Sequence, residues 1–447
     1  QGLIGIYVIF SITGFYYLNK WGVITAFTQN SFQYLLHPPL YLKWSNIWYA
    51  IDLFLWPIIF VFPPAFLMGA SFPLITTLFH EKGVSRGYSS GIVYSFSTLG
   101  NILGALITGF VLLNVFGTSI TFLILGIGAV LFLIPLLLRK RSLRMTFLWV
   151  AFLIMVFIIF PNKTQLYKSI HKGSLSGMAT ILISESTEGV VVTGSNGEKV
   201  KNVLNGLGHG FRPGVEFQLE AAYGLSSTPV PENVLIIGMG TGTFVEVAVF
   251  CDDTTKIDVV ELNPSLLENL RNTKSTEFLF DQNKINYIVG DGRRFLYENT
   301  KKYDLIMMDP LRTTTAYSNN LYSLEFFQLL RTALSDNGVL LFWSDEQYIV
   351  PATIDHVFEH IRFFTTPQLG FFGVASDIAI DFDEERFNSL ASIFTEIGHM
   401  RTAIRSIPVL IVKDPGLLNR DLAPKCEYYT GYTHRITRLH RRLGLKK

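Results

Sequence analysis

Three glycines at the end of a predicted β-strand are the first sign of a ligand site in this sequence. The run NVLIIGMGTGTFVEV starts at Asn233, and its glycines stand two apart at Gly238, Gly240 and Gly242. Because glycine has no side chain, a ligand can approach the backbone here and reach the N-terminus of the helix that follows. A dinucleotide fingerprint, GxGxxG, would need its third glycine at Thr243, so the spacing favours a different nucleoside ligand.

Acidic residues stand at the ends of the next three predicted strands. The second strand ends in Glu261, 19 positions after Gly242, where a carboxylate can accept hydrogen bonds from both ribose hydroxyls. Asp291 with Gly292 stands at the end of the third strand, and Asp309 ends the fourth. Together with the glycine spacing, these residues predict a site for an adenosyl-sulfonium ligand. The alternative is a glycine-rich turn in a sheet protein that binds no such ligand.

The elements that position these residues are predicted to be alternating strands and helices. We predict strands over Asn233–Gly238, Lys256–Glu261, Ile285–Val289, Tyr303–Asp309 and Gly338–Trp343. This order predicts a doubly wound α/β domain with a mostly parallel sheet and helices on both faces. Ligands of such a domain bind at the carboxyl ends of the strands. Upstream, residues 190–204 predict a β-hairpin around Asn196-Gly197.

The first third of the chain is predicted to be an α-helical transmembrane domain. Of the 447 residues 49% are hydrophobic and only 16% are charged, which is unusual for a soluble protein. Crossing a bilayer takes about 20 apolar residues. Apolar segments near this length lie over Gly2–Leu18, Ile47–Phe79, Ser89–Leu113, Ser119–Leu138 and Met145–Phe160. Because the sequence starts at Gln1 without a methionine, we also expect an N-terminal part to precede it.

Two of the apolar segments have features that affect their helices. The second is interrupted by four prolines, Pro57, Pro63, Pro64 and Pro73. We therefore expect it to tilt, kink or re-enter the membrane. The third has small residues on one face, namely Gly100, Gly104, Ala105 and Gly109. That face predicts close packing against another helix.

The composition changes after Pro161 and predicts four regions. Residues 1–162 form a multi-span transmembrane domain. Residues 163–230 form a linker with a small β-rich subdomain, and residues 231–424 form the α/β domain. Residues 425–447 form a basic amphipathic tail.

The region from about Ser184 to Tyr348 resembles the spermidine synthases, and more closely the membrane-fused proteins of this polyamine aminopropyltransferase-like family. The motifs that carry the resemblance are Glu188-Gly189, Leu204-Asn205-Gly206, Gln218, IGMGTG, VVELNP, GDGRRFL, YDLIMMDP, LYSLEFF and FWSDEQY. MGASFPL from Met68 and GNILGALITGFVL after Tyr94 are similar to spans of the fused proteins. The resemblance implies a Rossmann-type fold like that of class I methyltransferases and spermidine synthases.

The same resemblance implies a transferase that uses decarboxylated S-adenosylmethionine or S-adenosylmethionine as co-substrate. Its donor-binding residues would be Gly238, Gly240, Thr241, Gly242, Glu261, Asp291, Gly292 and Asp309. Glu261 would bind the ribose, and Asp291 with Gly292 would lie near the adenine. Asp309 would be the catalytic residue beside the sulfonium. An amine attacks only when unprotonated, so this carboxylate could orient the amine and take its proton.

Two positions depart from the pattern of the soluble spermidine synthases. Thr241 stands where their glycine-rich loop has an acid, and Arg312 stands where a second carboxylate follows Asp309. A cation at Arg312 would repel a diamine, which disfavours putrescine as the acceptor. Arg312 could instead face a carboxylate or phosphate, including the carboxylate of intact S-adenosylmethionine, or point into solvent.

Several further residues are candidates for the acceptor side of the site. They are Arg312, Gln218, Glu220, Asp345 and Glu346. Asp345 and Glu346 end the fifth strand at the correct edge of the sheet. They therefore rank above Glu220, and above Glu185 and Glu188, for which surface positions are commoner.

Histidines and cysteines give no indication of a metal site. His356 and His360 are four apart on a predicted helix, but no adjacent acid or third ligand accompanies them. We predict that no metal is bound. Cys251 and Cys426 lack metal-site spacing and are predicted to be ordinary thiols, although one bridge between them is compatible with the sequence.

Two basic clusters bear on the side of the membrane that the α/β domain occupies. The cluster at Arg139, Lys140, Arg141 and Arg144 is expected in the cytoplasm, and one more crossing would then place the α/β domain outside. That conflicts with a donor made in the cytoplasm. The basic amphipathic stretch from Arg435 to Lys447 suits the anionic inner leaflet, or is simply solvated. We expect an integral protein of the inner or plasma membrane with a cytoplasmic α/β domain.

The sequence thus favours a membrane-bound transferase that moves an aminopropyl-type group to a small-molecule amine or a membrane-proximal acceptor. The alternatives are an S-adenosylmethionine-dependent methyltransferase and a non-catalytic nucleoside-binding sensor or transport module. The lipid bilayer is the expected partner, and a homodimer is compatible with this interpretation. A net charge of +2 does not indicate a nucleic-acid partner.

Overall fold

The computed structural model of the chain describes residues 1–22, 44–81, 85–132, 143–186, 188–308, 313, 315, 317–346, 348–366, 370–401, 405–407 and 418–426. The chain divides into two compact units. One contains residues 1–177 and 183–192, and the other contains residues 178–182 and 193–447. The boundaries of the four regions predicted from the sequence stay a prediction.

The first unit is built mainly from apolar helices. They are α1 (Gly2–Lys20), α2 (Trp44–Glu81), α3 (Arg86–Ile107), α4 (Leu113–Leu131), α5 (Leu143–Ile159) and α6 (Lys163–Ile170), with a π-helical turn at Thr108–Leu112. Among the described residues, the stretches long and apolar enough to cross a membrane are Gly2–Lys20, Ile58–Leu78 and Gly87–Leu131. The fifth predicted span corresponds to α5, which has 17 residues.

Three of the predicted spans differ from the observed helices. The proline-rich segment forms one helix of 38 residues, α2, so it does not divide into two crossings. The third and fourth predicted spans lie on one nearly continuous helical stretch, Gly87–Leu131. This stretch is broken inside α4 at Gly117, where φ is 73° and ψ is 175°. Glycine permits this left-handed conformation because it has no Cβ.

Close helix packing in this unit depends on glycines other than those predicted. A Cβ on Gly5 would lie 2.3 Å from the carbonyl oxygen of Gly126, and one on Gly126 would lie 2.7 Å from Ile9. Helices α1 and α4 therefore touch through their backbones. By contrast, a Cβ on Gly100 or Gly104 would meet no atom within 4 Å. Among the described residues nothing lies against Gly100 or Gly104, so close helix packing of this small-residue face stays a prediction.

A carboxylate lies at the break in α4. Glu185, in strand β1 (Thr180–Ser186), accepts a hydrogen bond from the backbone N–H of Thr118. Tyr167 on α6 donates to Thr118 Oγ1 at 3.3 Å, and Ser119 Oγ donates to the carbonyl of Pro161 at 2.6 Å. The new helix start after Gly117 thus receives the acceptor that such an N-terminus needs.

A four-stranded sheet precedes the α/β part of the chain. Its strands are β1, β2 (Gly189–Asn196), β3 (Lys199–Leu204) and β4 (Leu207–Arg212), hydrogen bonded in that order. The predicted hairpin is confirmed, since β2 and β3 are joined by Gly197, whose φ is 61°, and Glu198. Helix α7 (Val215–Ser226) follows β4.

An eight-stranded sheet is the core of the second unit. Its strands are β5 (Asn233–Ile237), β6 (Lys256–Glu261), β7 (Ile285–Val289), β8 (Tyr303–Met308), β9 (Leu334–Ser344), β10 (His360–Thr366), β11 (Gly370–Ser376) and β12 (Arg405–Ile407). The strand order is β12-β10-β11-β9-β8-β5-β6-β7. The strands from β9 to β7 in this order are parallel, as predicted. Strands β10, β11 and β12 extend the sheet with antiparallel pairs that were not predicted.

Helices connect these strands, and three of those that follow the parallel strands begin at a residue whose side chain caps the N-terminus. The helices are α8 (Thr243–Val249), α9 (Pro264–Arg271), α10 (Gly292–Glu298), α11 (Leu324–Ala333), α12 (Ile349–Asp355), α13 (Glu384–Ile393) and α14 (Thr395–Arg401), with 3-10 turns at Glu277–Asp281 and Ser318–Leu321. Asn263, Asp291 and Ser323 accept backbone N–H groups as N-caps of α9, α10 and α11. The starts of these helices are thereby fixed next to the carboxyl ends of the strands.

Candidate nucleoside site at the carboxyl edge of the sheet

The glycine loop turns sharply between β5 and α8. Gly238, Gly240 and Gly242 have φ values of 94°, 54° and 82°, all in the left-handed region that glycine adopts without strain. A Cβ on Gly242 would lie 2.8 Å from Leu279, so that position has no room for a side chain. A Cβ on Gly240 would meet nothing within 4 Å. The loop therefore presents bare backbone to open space at Gly240.

Glu261 binds the glycine loop directly. Its Oε2 accepts the backbone N–H of Met239 at 2.8 Å, and its Oε1 accepts that of Asn263 at 2.8 Å. The side chain is only 6% exposed. Burial raises the pKa of Glu261, while these backbone donors lower it. Each carboxylate oxygen has a second lone pair, so Glu261 can still accept hydrogen bonds from a ligand.

The start of α10 lies beside the same edge. The backbone N–H of Gly290 donates to the carbonyl of Glu261 at 3.0 Å. Asp291 is exposed and its Oδ1 accepts the N–H of Arg294 at 2.8 Å. A Cβ on Gly292 would lie 2.6 Å from Cγ2 of Ile237 on β5. The residues predicted from three separate strand ends are thus brought together by the sheet.

The sequence analysis did not predict the contacts that the four-stranded sheet makes with the glycine loop and with helix α8. Asn202 on β3 is fully buried, and its Nδ2 donates to the carbonyl of Gly240 at 2.8 Å. On β4, Arg212 Nη2 donates to Glu246 Oε1 of α8 at 2.6 Å, with both side chains nearly buried. These contacts join positions far apart in the chain, so no local pattern in the sequence could have indicated them.

The side chain of Thr241 cannot supply the negative charge that an acid at this position would have. Its side chain is buried, and its Oγ1 lies 3.0 Å from Oγ1 of Thr243. The hydroxyl pair is neutral, so this part of the loop offers no carboxylate to a cationic group of a ligand. Two hydroxyl groups can bind each other because each is both donor and acceptor.

Asp345 lies at the end of β9 and holds a residue of the following loop. Its Oδ1 accepts the backbone N–H of Thr313 at 3.0 Å and the hydroxyl of Thr313 at 2.8 Å. Thr313 is itself buried. The side chain of Asp345 is half-buried. This carboxylate is therefore fixed in orientation while part of it stays accessible.

Glu346 has a different environment from its neighbour. Its Oε2 accepts the backbone N–H groups of Tyr348 at 3.0 Å and Val350 at 2.9 Å, and also that of Ile349. Burial raises the pKa of Glu346 to about 7, with the three backbone donors acting in the opposite direction and Asp345 raising it further. The side chain thus caps the start of α12.

The remaining candidate residues differ in burial and in the part of the chain where they lie. Gln218 is 7% exposed and Glu220 is fully buried on α7, so the interpretation of Glu220 as a surface carboxylate is wrong. Glu188 is exposed, and Glu185 binds Thr118 in the helical unit. Asp309 and Arg312 lie outside the described residues, as do the tail residues from 427 onward.

The predicted helix that would carry both histidines is not observed. His356 follows the end of α12, and His360 begins strand β10. Within the part of the chain that the structure describes, no three His, Cys, Asp or Glu side chains are grouped so that they could hold a metal ion. Cys251 and Cys426 are both buried and free.

Comparisons with known proteins bear on the domain around this site. Residues 220–369 match the spermine/spermidine synthase domain. The polyamine aminopropyltransferase of Sulfolobus acidocaldarius is 29% identical over 149 residues, which cover 31% of this chain and 49% of that relative. Polyamine aminopropyltransferase 1 of Bacillus cereus is 27% identical over 149 residues, which cover 33% of this chain and 54% of that relative. The chain spans about half the length of these curated relatives.

The comparison with solved structures also gave matches. Spermidine synthase in complex with the transition state analogue AdoDATO is 21% identical, with a TM-score of 0.43, and the match covers 50% of this chain and 90% of that one. The domain match and the curated relatives confirm the resemblance to spermidine synthases that the motifs predicted.

Proposed function

Because the chain carries a spermidine synthase-like domain, we propose that it is a membrane-bound transferase that moves an aminopropyl-type group from a sulfonium donor to an amine acceptor. The donor is decarboxylated S-adenosylmethionine or S-adenosylmethionine. The observation that supports this most is the carboxylate of Glu261 bound to the glycine loop, beside the open space at Gly240, within the matched domain.

The donor side of the proposed site uses the residues at the ends of β5, β6 and β7. The loop from Gly238 to Gly242, including Thr241, binds the methionine end of the donor. Glu261 accepts the ribose hydroxyls through its remaining lone pairs. Asp291 and Gly292, at the start of α10, lie on the adenine side. This assignment is supported by the hydrogen bonds and close approaches that join the three strand ends.

The proposed reaction needs one proton acceptor and no external reductant or oxidant. The lone pair of the acceptor nitrogen attacks the donor carbon next to sulfur and forms an N–C bond. The C–S bond breaks, and its electron pair stays on sulfur, which becomes a neutral thioether. The proton lost from nitrogen goes to the carboxylate of Asp309, which would also orient the amine as its ammonium form arrives.

Of the two acids after β9, we assign Asp345 to the acceptor. Its carboxylate is half-buried and held by Thr313, which leaves capacity to bind an ammonium group. Glu346 is bound by three backbone N–H groups, and with a pKa raised to about 7 it is half protonated near neutral pH and attracts a cation less. Gln218, Glu220 and Arg312 stay proposed acceptor-side residues of lower rank.

A methyltransferase is the second candidate, and Thr241 favours it. The hydroxyl pair Thr241 and Thr243 offers no charge to the amine of an aminopropyl donor. In this alternative the acceptor attacks the methyl carbon, the bond from that carbon to sulfur breaks, and the thioether that leaves keeps the amino-acid chain with its carboxylate but not the methyl group.

The nature of the released nucleoside distinguishes the two reactions. We would incubate the full chain in detergent with each donor and a pool of amines, and identify the nucleoside by mass spectrometry. Methylthioadenosine supports aminopropyl-type transfer, whereas S-adenosylhomocysteine overturns it in favour of methyl transfer. Asp309→Asn is expected to lower the rate at least about tenfold with donor binding kept. Asp336→Asn, at an exposed residue within β9, serves as the matched control.

We also propose that the helical unit anchors the protein in the inner or plasma membrane with the transferase domain in the cytoplasm. The apolar helices support the anchor, and the cytoplasmic origin of sulfonium donors supports the side. The amine acceptor would then be a small molecule or lie near the bilayer. Attack of an impermeant reagent on a tag placed after Lys447 in intact cells would contradict this orientation.

A further inference from the structure

The segment Leu418–Cys426, which we call the C-terminal strap, packs across the elements that carry the site. It lies beyond residues 220–369, which match the known domain. Leu418 and Cys426 are 5% and 3% exposed and belong to the same hydrophobic cluster as the strands and helices of the large sheet. The strap is therefore part of the folded domain and does not lie loosely on its surface.

Asn419 is the anchor of the strap. It is fully buried. Its carbonyl accepts the N–H of Leu324 at 2.7 Å, and its own N–H donates to Thr353 Oγ1 at 3.0 Å. Its Nδ2 donates to the carbonyl of Tyr322 at 2.9 Å, and its Oδ1 accepts the N–H of Lys425 at 2.7 Å. The backbone of Asn419 thus ties the strap to the start of α11, while its side chain binds Tyr322 just before that helix and closes the turn of the strap itself.

Asp421 ties the strap to the donor side. Arg293, directly after Gly292 in α10, donates from Nη1 to Asp421 Oδ1 at 2.7 Å and from Nη2 to Oδ2. This is a two-pronged guanidinium–carboxylate contact, which fixes orientation as well as distance. The Arg293 side chain is 13% exposed, so the pair is partly shielded from water.

A chain of hydrogen bonds leads from the strap to the acceptor side. The carbonyl of Arg420 accepts Nδ2 of Asn319 at 3.2 Å. The neighbouring Ser318 donates from Oγ to the carbonyl of Thr313 at 2.6 Å. Thr313 in turn donates to Asp345 through both its N–H and its hydroxyl. The strap is thus three side-chain contacts away from the carboxylate that we assign to the acceptor.

We propose that the C-terminal strap is a positioning device for the acceptor side of the site, with Asn419 as its central positioning residue. By holding residues 318–324, the strap sets the place of Thr313 and therefore the orientation of Asp345. This inference rests on the proposed function for the role of Asp345. The contacts of the strap with α11 and with the turn at Ser318–Leu321 do not depend on that function.

The test compares Asn419→Ala with a control at the other end of the large sheet. Asp377→Asn removes a charge from the Arg331–Asp377 ion pair, whose Nε–Oδ2 distance is 2.6 Å, without touching the strap. For each full-length variant we would measure the Kd of the donor, KM for the acceptor, kcat, and backbone hydrogen exchange of Thr313 and residues 318–324. Asn419→Ala is expected to lower acceptor kcat/KM about tenfold or more and to speed exchange in these residues. The donor Kd should stay within about twofold, and Asp377→Asn should change none of these values.

The outcomes of this test distinguish a failure of the positioning role from a failure of the proposed function. Unchanged exchange at Thr313 and residues 318–324 in Asn419→Ala overturns the positioning role. Equal losses of donor affinity and acceptor kcat/KM also overturn it, because they indicate general damage. If the wild-type chain transfers no group from either donor, the proposed function fails, while the exchange data still decide whether the strap orders this loop. Should Asn419→Ala not fold, Asn419→Asp keeps Oδ1 for Lys425 and replaces the donor to Tyr322 by a carboxylate oxygen.

Discussion

Substitution of Gly240 by alanine separates the stability of the glycine loop from its use as a binding surface. The φ of Gly240 is 54°, close to the left-handed minimum that other residues reach at a cost of about 1–2 kcal/mol. A Cβ at this position meets no atom within 4 Å. A methyl group at this position therefore causes no steric clash, and the backbone strain is the whole expected loss of stability. That loss is small compared with the free energy of unfolding of a typical domain, roughly 5–15 kcal/mol.

The same methyl group is expected to interfere with ligand binding. It would project into the open space beside the loop, where the proposed donor would approach the backbone. We expect donor affinity to fall more than about tenfold, which corresponds to about 1.4 kcal/mol. Gly242→Ala gives the contrast, because there φ is 82° and the Cβ would lie 2.8 Å from Leu279. Overpacking of this kind adds about 1–3 kcal/mol.

Calorimetric titration with the donor and thermal unfolding of each variant provide the assay. Gly240→Ala should keep a melting temperature close to that of the wild type and lose binding, whereas Gly242→Ala should melt at a clearly lower temperature. Wild-type affinity in Gly240→Ala would refute the assignment of the loop to the donor. A larger loss of stability in Gly240→Ala than in Gly242→Ala would refute the steric reasoning.

Two further predictions concern buried carboxylates. Glu261→Gln keeps one acceptor for the N–H groups of Met239 and Asn263 and turns the other into a donor, so we expect a loss of about 1–3 kcal/mol in unfolding free energy and weaker donor binding. Chemical unfolding and titration check this, and unchanged values for both would contradict it. The pKa of Glu346 is raised from 4.5 to about 7 in the folded chain, so its stabilising contribution is full below pH 4.5 and is lost as pH rises through about 7. Melting temperatures at pH 5 and pH 8 should therefore differ less in Glu346→Gln than in the wild type, and an equal difference would count against this assignment.

The central sheet could be predicted because its strands have local patterns. Strands Lys256–Glu261 and Ile285–Val289 begin and end at the predicted residues. Both are short runs of β-branched and apolar residues that stop at a glycine or an acid, which is a signal within a few residues. The three glycines of the loop and Glu261 could likewise be identified from a pattern within a few residues. The geometry of a parallel sheet then brings such strand ends to one edge.

Other features depend on contacts between distant parts of the chain. Strand β10 begins at His360, in a stretch that the sequence analysis placed on a predicted helix. Its pairing with β11 and β12 decides its conformation, and tertiary pairing commonly overrides local preference in strands. The contacts of Asn202 and Asn419 could not be predicted from the sequence either. A single asparagine gives no pattern, and its importance follows only from the backbone groups that surround it in the fold.

The break at Gly117 has a consequence for how deeply the helical unit can sit in a bilayer. The carboxylate of Glu185 binds Thr118, and Ser119 binds Pro161, so these residues lie at one level along α4 and at the end of α5. In the membrane anchor that we propose, this level should coincide with the headgroup region, because a carboxyl side chain is costly to place in hydrocarbon.

From this level, the lengths of the neighbouring helices can be compared with the thickness of the hydrocarbon layer. Measured from Thr118, α4 runs 14 residues to Leu131, about 20 Å at 1.5 Å per residue, and α5 covers about 25 Å with its 17 residues. Both lengths fall short of a hydrocarbon layer of about 30 Å. A membrane around these helices would therefore have to be thinner locally than this layer.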